Sequence, residues 1–256
     1  MLARSSVIRH TEERAFLMKI TENVPSMPRH GEEDASEIKL HYLTKTDLFC
    51  DLSPEELKDV ARIATMTTCP PGRIFYSPNE QGEVLFILKK GQVQLYRMSD
   101  EGRKLVIGTL GPGTIFGEMA LTGLRMYDAF AEATEEALIC ILNRGDVEKL
   151  LISKPKVSMR LIDLLGKRLR DTEERLEQTL FHDVPSRLAA LLLRLRNESH
   201  SDLIEMTHEE LAEHLGVYRE TVTAALNNLH RDNLITVARK QVHLIDIRAL
   251  EKRASR

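Results

Sequence analysis

Arg219, Glu220 and Thr223 fall within five residues of one another, in the run Tyr218-Arg-Glu-Thr-Val-Thr-Ala-Ala-Leu226. Together they present a planar fork of donors, an anionic acceptor and a hydroxyl, and such groups can meet the hydrogen-bonding edges of bases. Hydrolytic chemistry has no comparable set. The chain lacks Gly-x-Ser-x-Gly, His-Glu-x-x-His and phosphate-loop patterns. Glu118 and Asp128 could be drawn as a carboxylate pair, but two acids in a strand-rich region are usually structural or solvated. The expectation is a binding protein and not an enzyme.

Such residues act only if a helix presents them. Val222, Ala225, Leu226 and Leu229 recur at helical spacing and form a buried face, leaving Arg219, Glu220, Thr223 and Asn227 outward. A shorter helix should precede it. Thr207 with Glu210 three residues later is a capping box, and Leu211, Ala212 and Leu215 supply the apolar face. Gly216 provides the left-handed exit, and the small Ala212 lets the two helices cross closely. This is a helix-turn-helix, in which residues at the start of the second helix reach base edges. Leu188, Leu191, Leu192 and Leu195, on a helix over Arg187–Arg196 opened by Pro185, should pack beneath it. Beyond it, Leu234–Ala238 and Val242–Ile247 flank Arg239-Lys240-Gln241, a two-stranded wing with a basic tip.

A chain of 256 residues can bury two cores, and 42% hydrophobic with 29% charged residues describes a soluble globular protein. No apolar run reaches membrane-spanning length, and the N-terminus has no apolar signal core. Cys50, Cys69 and Cys140 are scattered without a Cys-x-x-Cys pair, which suits a reducing cytoplasm and argues against a metal or iron–sulfur site. His10, His30 and His41 read as exposed side chains, not ligands. The net charge is −3, and residues 183–256 hold eleven basic and eleven acidic residues. A positive face must therefore come from local placement of Arg219, Arg231, Arg239 and Lys240.

Residues 1–37 read as an extension with one short helix near Glu12–Ile20. Residues 38–150 form a second region. There Ser53-Pro-Glu-Glu56 starts a helix through Ala64. From Cys69 the texture turns to short strands (Ile74–Tyr76, Val84–Leu88, Gln92–Arg97, Lys104–Leu110, Ala137–Leu142) punctuated by glycines, an all-β roll. The tract Gly111-Pro-Gly-Thr-Ile-Phe-Gly117 has the wrong spacing for a dinucleotide fingerprint. In residues 151–182, a helix from about Pro155 to Phe181 would run roughly 40 Å. Its Ile162, Leu165, Leu169, Thr172, Leu176 and Thr179 recur at steps of three and four, the spacing of a two-helix seam. Pairing with a second copy would cover that stripe. Residues 183–256 complete the chain as the winged unit.

The order β-roll (a double-stranded jelly roll), long helix, winged helix-turn-helix resembles the catabolite activator/fumarate–nitrate regulator family of bacterial transcription factors, an α+β architecture. The resemblance covers about residues 40–247. It rests on the glycine ladder, Phe116-Gly-Glu-Met-Ala-Leu121, Phe181-His-Asp-Val-Pro-Ser-Arg-Leu188 and Arg219-Glu-Thr-Val222. It implies a homodimer that binds palindromic double-stranded DNA, and RNA polymerase as a partner if the protein activates. By resemblance, Arg219 pairs with guanine and Glu220 with cytosine, with Thr223 beside them. Thr207, His208, Glu209, Tyr218, Thr221, Arg239 and Lys240 would lie near phosphates. Two departures stand out: Tyr218 replaces a capping serine, and Ala224 replaces an arginine, so the expected half-site is related to TGTGA but relaxed at one position.

The resemblance also locates an effector pocket at Gly117, Glu118, Arg125, Tyr127, Asp128 and Thr172. In cyclic-nucleotide-binding members a Gly-Glu pair grips the ribose, and an Arg-Ser or Arg-Ala pair neutralises the cyclic phosphate. Here the second pair is Tyr127-Asp128. A carboxylate facing a phosphate in a sheltered cavity repels it. Thr172 matches an adenine-contacting position but is followed by Glu173. The expectation is no cyclic-nucleotide cofactor: either another ligand or effector-independent binding. The alternatives are a cyclic-nucleotide-responsive regulator, or a ligand-binding module that acts on a protein partner.

Overall fold

The computed structural model describes residues 39–78, 84–117 and 129–255; the extension and its expected helix lie outside them. After a helical segment over 39–44, α1 (Pro54–Ile63) begins as expected. Ser53 accepts from the Glu56 amide, while Glu56 accepts from the Ser53 amide at 2.9 Å. Among the described residues eight strands follow: β1 (Thr65–Cys69), β2 (Ile74–Tyr76), β3 (Val84–Lys90), β4 (Val93–Met98), β5 (Lys104–Leu110), β6 (Ile115–Phe116), β7 (Phe130–Ala133) and β8 (Ala137–Asn143). They form two antiparallel four-stranded sheets, ordered β1-β8-β3-β6 and β2-β7-β4-β5. This is the roll read from the sequence, which missed β1, β6 and β7.

The central strands β3 and β8 are buried on both faces, which is why they read as continuous apolar runs. Phe86 and Leu88 point with Ile139 and Ile141 into a core shared with Phe75, Tyr76 and Phe116. There the rings of Phe86 and Phe116 stack with centroids 4.9 Å apart. Leu85, Ile87, Cys140 and Leu142 point the other way, onto Phe49, Leu57 and Val60. Lys89 is also buried; it donates to the Tyr42 carbonyl and the Thr46 hydroxyl, and burial lowers its ammonium to about 8. Gly91 turns β3 into β4 at φ +84°, where a Cβ would sit 2.3 Å from the Glu136 carbonyl oxygen. Only glycine fits there, by handedness and by space.

Helices α2 (Arg144–Ser153) and α3 (Pro155–Phe181) follow. The second has the bounds expected from its repeat. Arg160 near its start forks onto both carboxylate oxygens of Asp51, at 2.5 and 3.0 Å. The chain divides into two compact units. One runs to Tyr96 and resumes over Gly108–Leu165; the other joins Arg97–Ile107 with the residues from Gly166 onward.

The second unit contains α4 (Val184–Ser199), β9 (Leu203–Ile204), α5 (His208–Leu215), α6 (Arg219–Arg231), β10 (Ile235–Ala238), β11 (Gln241–Leu244) and α7 (Ile247–Ala254), with sheet order β10-β11-β9. Leu188, Leu191 and Leu192 are buried in its core, as expected. Three expectations need correction. Helix α4 is longer than Arg187–Arg196, because Asp183 caps it by accepting from the Ser186 amide at 2.9 Å. The wing has a third strand, β9, too short to leave a pattern. The last expected strand stops at Leu244 and not Ile247, because Asp246 caps α7 through the Ala249 amide.

Asp183 also accepts from Arg253 of α7 at 2.8 Å, and the same guanidinium reaches the Ser186 hydroxyl. The Arg253 hydrogen bond is the chief reason the Asp183 carboxyl is held at about 2, below its ordinary 3.8. A depressed carboxyl stabilises the fold above its unfolded value, and that contribution fades as pH falls through the folded one. Asp183→Asn keeps a cap acceptor but cannot titrate. Its unfolding free energy should fall less steeply than that of the parent between about pH 4 and pH 2; identical acid limbs in urea titrations would refute this.

Candidate nucleic-acid interface

Thr207 accepts from the Glu210 amide at 3.1 Å and Glu210 accepts from the Thr207 amide at 2.6 Å, so the expected capping box starts α5. Gly216 ends the helix at φ +68°, and its amide bonds the Ala212 carbonyl at 2.8 Å. The left-handed glycine turns the chain into α6. Val222, Ala225, Leu226 and Leu229 are all buried, while Arg219, Glu220, Thr221, Ala224 and Asn227 are exposed and Thr223 is half-buried. The helical face read from the sequence is thus the face the fold uses.

A groove of about 570 Å³ brings together six of the residues singled out above: Thr207, His208, Glu209, Arg219, Arg239 and Lys240, with Val237 and Ala238. Its far wall is the wing. Ala238 pairs with Gln241, so Arg239 and Lys240 form a two-residue turn, with Lys240 at φ +59°. Both are exposed cations. Local placement thus gives the groove a positive rim although the domain is neutral.

Across the helix pair, His208 Nδ1 lies 2.9 Å from the Thr223 hydroxyl, which is also 3.0 Å from the Arg219 carbonyl. Tyr218 occupies the cap position of α6 without a side-chain cap bond. Its ring is 57% exposed and carries the Arg103 guanidinium 4.7 Å from its centroid, a cation–π contact. Arg103 was not foreseen, since it lies 115 residues away in sequence with no local pattern to mark it. Beside it, Lys104 pairs with Glu213 at 3.5 Å.

His214, on the inner side of α5, was not foreseen either. Burial lowers its imidazole to about 4, and the positive charges of Arg194, Arg175 and Lys104 add to the effect. A neutral folded histidine stabilises the protein fully above its unfolded value of 6.5, and this is lost as pH falls toward the folded one. His214→Gln should therefore flatten the pH dependence of unfolding between about 6.5 and 4. A slope equal to that of the parent would contradict the assignment.

The remaining site residues are distributed as follows. In α3, Ile162, Leu169 and Leu176 are 59%, 60% and 59% exposed, while Leu165 is half-buried. The Thr172 hydroxyl donates to the Arg168 carbonyl of its own helix at 2.8 Å. Gly117 is buried at φ +85°. Glu118, Arg125, Tyr127 and Asp128 lie outside the described residues. Among the described residues, no three His, Cys, Asp or Glu side chains cluster as a metal site, and no helix is long and apolar enough to cross a membrane.

Residues 66–154 match the cyclic nucleotide-binding domain family, and residues 186–253 match the Crp-like helix-turn-helix domain. The "Cyclic AMP receptor protein" of Thermus thermophilus is 30% identical over 205 residues, spanning 80% of this chain and 95% of its own. The "CRP-like cAMP-activated global transcriptional regulator" of Mycobacterium tuberculosis is 27% identical over 219 residues, 83% of this chain and 98% of its own. A crystallised regulator of the same family from Eubacterium rectale shares the fold, with a TM-score of 0.71 at 23% identity over 83% of this chain and all of its own. With a roll and a helix-turn-helix in the same order and this extent of similarity, the chain belongs to the CRP/FNR family of DNA-binding transcription regulators.

Proposed function

We propose that the protein is a cytoplasmic homodimer that reads a palindromic DNA site through Arg219 and Glu220, without requiring cyclic AMP. The observation that carries this reading is the exposure of both side chains on the first turn of α6, beside a groove whose far wall is the basic wing turn. In a major groove, Arg219 donates two hydrogen bonds to guanine N7 and O6, and Glu220 accepts one from a cytosine amino group. Thr207, His208, Glu209, Tyr218, Thr221, Arg239 and Lys240 lie near phosphates and set the register.

Dimerisation accounts for the apolar stripe on α3, because Ile162, Leu169 and Leu176 are costly to leave in water. Two such helices pair along the a/d-like seam and place two α6 helices on successive turns of the duplex, about 34 Å apart. If the protein activates, RNA polymerase is the partner. The effector reading rests on Tyr127-Asp128 in the place of an arginine pair: a carboxylate there disfavours a cyclic phosphate. A second reading, control by a cyclic nucleotide, is favoured by the family of residues 66–154 and by the names of the two bacterial relatives.

Anisotropy with a palindromic duplex at two salt concentrations, with and without cyclic AMP, separates these readings. Tight binding without ligand that weakens with salt supports the proposal; strong stimulation by cyclic AMP selects the second reading. Arg219→Ala should cost about 1–3 kcal/mol and flatten the preference at one guanine. An unaltered preference removes Arg219 from the reading role. Replacing Leu169 and Leu176 together by Glu should give monomers in sedimentation experiments and abolish tight binding to the palindrome. A variant that stays dimeric counts against the seam.

A further inference from the structure

Thr223 stands one helical turn beyond Arg219 on the outward side of α6, where a hydroxyl could donate to a base. Its surroundings say otherwise. The hydroxyl lies 2.9 Å from His208 Nδ1 and 3.0 Å from the Arg219 carbonyl. It has one hydrogen to give. If Nδ1 is protonated, it donates to Thr223, whose hydrogen goes to the Arg219 carbonyl. If Nδ1 is bare, the Thr223 hydrogen goes to Nδ1. A phosphate approaching Nε2 favours the second tautomer, because it needs an N–H on that side. In both cases the hydrogen is spent inside the protein. What the bridge leaves Thr223 to offer a groove is its methyl group, together with an oxygen that can accept but no longer donate. The neighbouring outward residue, Ala224, is exposed and offers a second methyl.

We infer that His208 is a positioning residue that holds the Thr223 side chain by its hydroxyl, so that Thr223 and Ala224 read the C5-methyl group of a pyrimidine in the major groove. The inference rests on the DNA-reading role of α6 proposed above. It adds a third element to the half-site: after the guanine and cytosine edges comes a contact of methyl on methyl, a pairing that thymine offers and cytosine lacks. The same C5-methyl is carried by 5-methylcytosine, so the chemistry has two sources. His208 acts through Thr223, and its own phosphate contact is a separate role.

The test begins with the unaltered protein. Within a selected palindromic duplex, each thymine is replaced in turn by uracil, which removes only the methyl. One symmetric position per half-site should lose about fourfold in affinity, the size of one buried methyl. Cytosine there should bind more weakly than 5-methylcytosine, which shows that the methyl and not thymine as such is recognised. Thr223→Val keeps a methyl without the hydroxyl and should retain the uracil penalty. His208→Ala should shrink that penalty while leaving the guanine preference of Arg219 unchanged, an effect that a mere phosphate contact would not produce. If no uracil substitution matters, the inference is overturned, whatever the variants do. If His208→Ala weakens all duplexes equally and reduces the salt dependence by about one phosphate, His208 is a backbone contact only and the positioning role fails. A parent protein that binds scrambled and selected duplexes alike would instead overturn the underlying DNA-reading proposal.

Discussion

The second unit depends on hiding one side of α6. Val222, Ala225, Leu226 and Leu229 face a core built from α4 and α5, and each buried Val or Leu contributes about 1.5–3 kcal/mol relative to exposure. That core fixes the rotation of the helix about its own axis. Once rotation is set, Arg219 and Glu220 face outward, and Thr223 sits at the edge of the buried side with its hydroxyl on His208. Ala212 of α5 and Ala225 of α6, 2% and 3% exposed, are small members of this shared core. The outward residues carry little of this load, and their identities are therefore free to encode a binding preference.

The electrostatics follow the same division. The domain has no surplus of positive charge, yet the cations that matter sit on a two-residue turn and on the first turn of a helix, at one groove. Several acids are consumed internally. Glu210 and Asp183 are occupied as helix caps, and Glu213 is paired with Lys104. The net count thus misrepresents the field at the groove, because a capping carboxylate is partly neutralised by the amides that it accepts from.

Helices were legible where periodicity and caps coincided. Ser53–Glu56 and Thr207–Glu210 marked two starts, and the three-and-four repeat marked all of Pro155–Phe181. The strands Lys104–Leu110 and Ile74–Tyr76 were legible from glycine punctuation. What escaped was short, poor in large apolar side chains, as in the Thr-rich β1 and the Ala-rich β7, or non-local. Strands β6 and β9 have two residues each, less than one period of alternation. The His208–Thr223 bridge joins residues fifteen apart on different helices, and Arg103 meets Tyr218 across 115 residues, so neither leaves a trace in local spacing. The outward set on α6 was legible because burial of its opposite side dictates it; the partners of that set were not.

The glycine at the β3–β4 corner has a less evident consequence. A strand with one wet side is locked in place by polarity, since slipping by one residue would put its apolar side chains in water. Strand β3 lacks that safeguard: Leu85, Phe86, Ile87 and Leu88 are apolar on both sides, and a shifted strand would still be dry. Apart from the buried Lys89 at its end, shape, rings on one side and aliphatic chains on the other, tells the two settings apart. The corner at Gly91 counts residues where hydrophobicity cannot, and it is the pin that keeps Phe86 against Phe116.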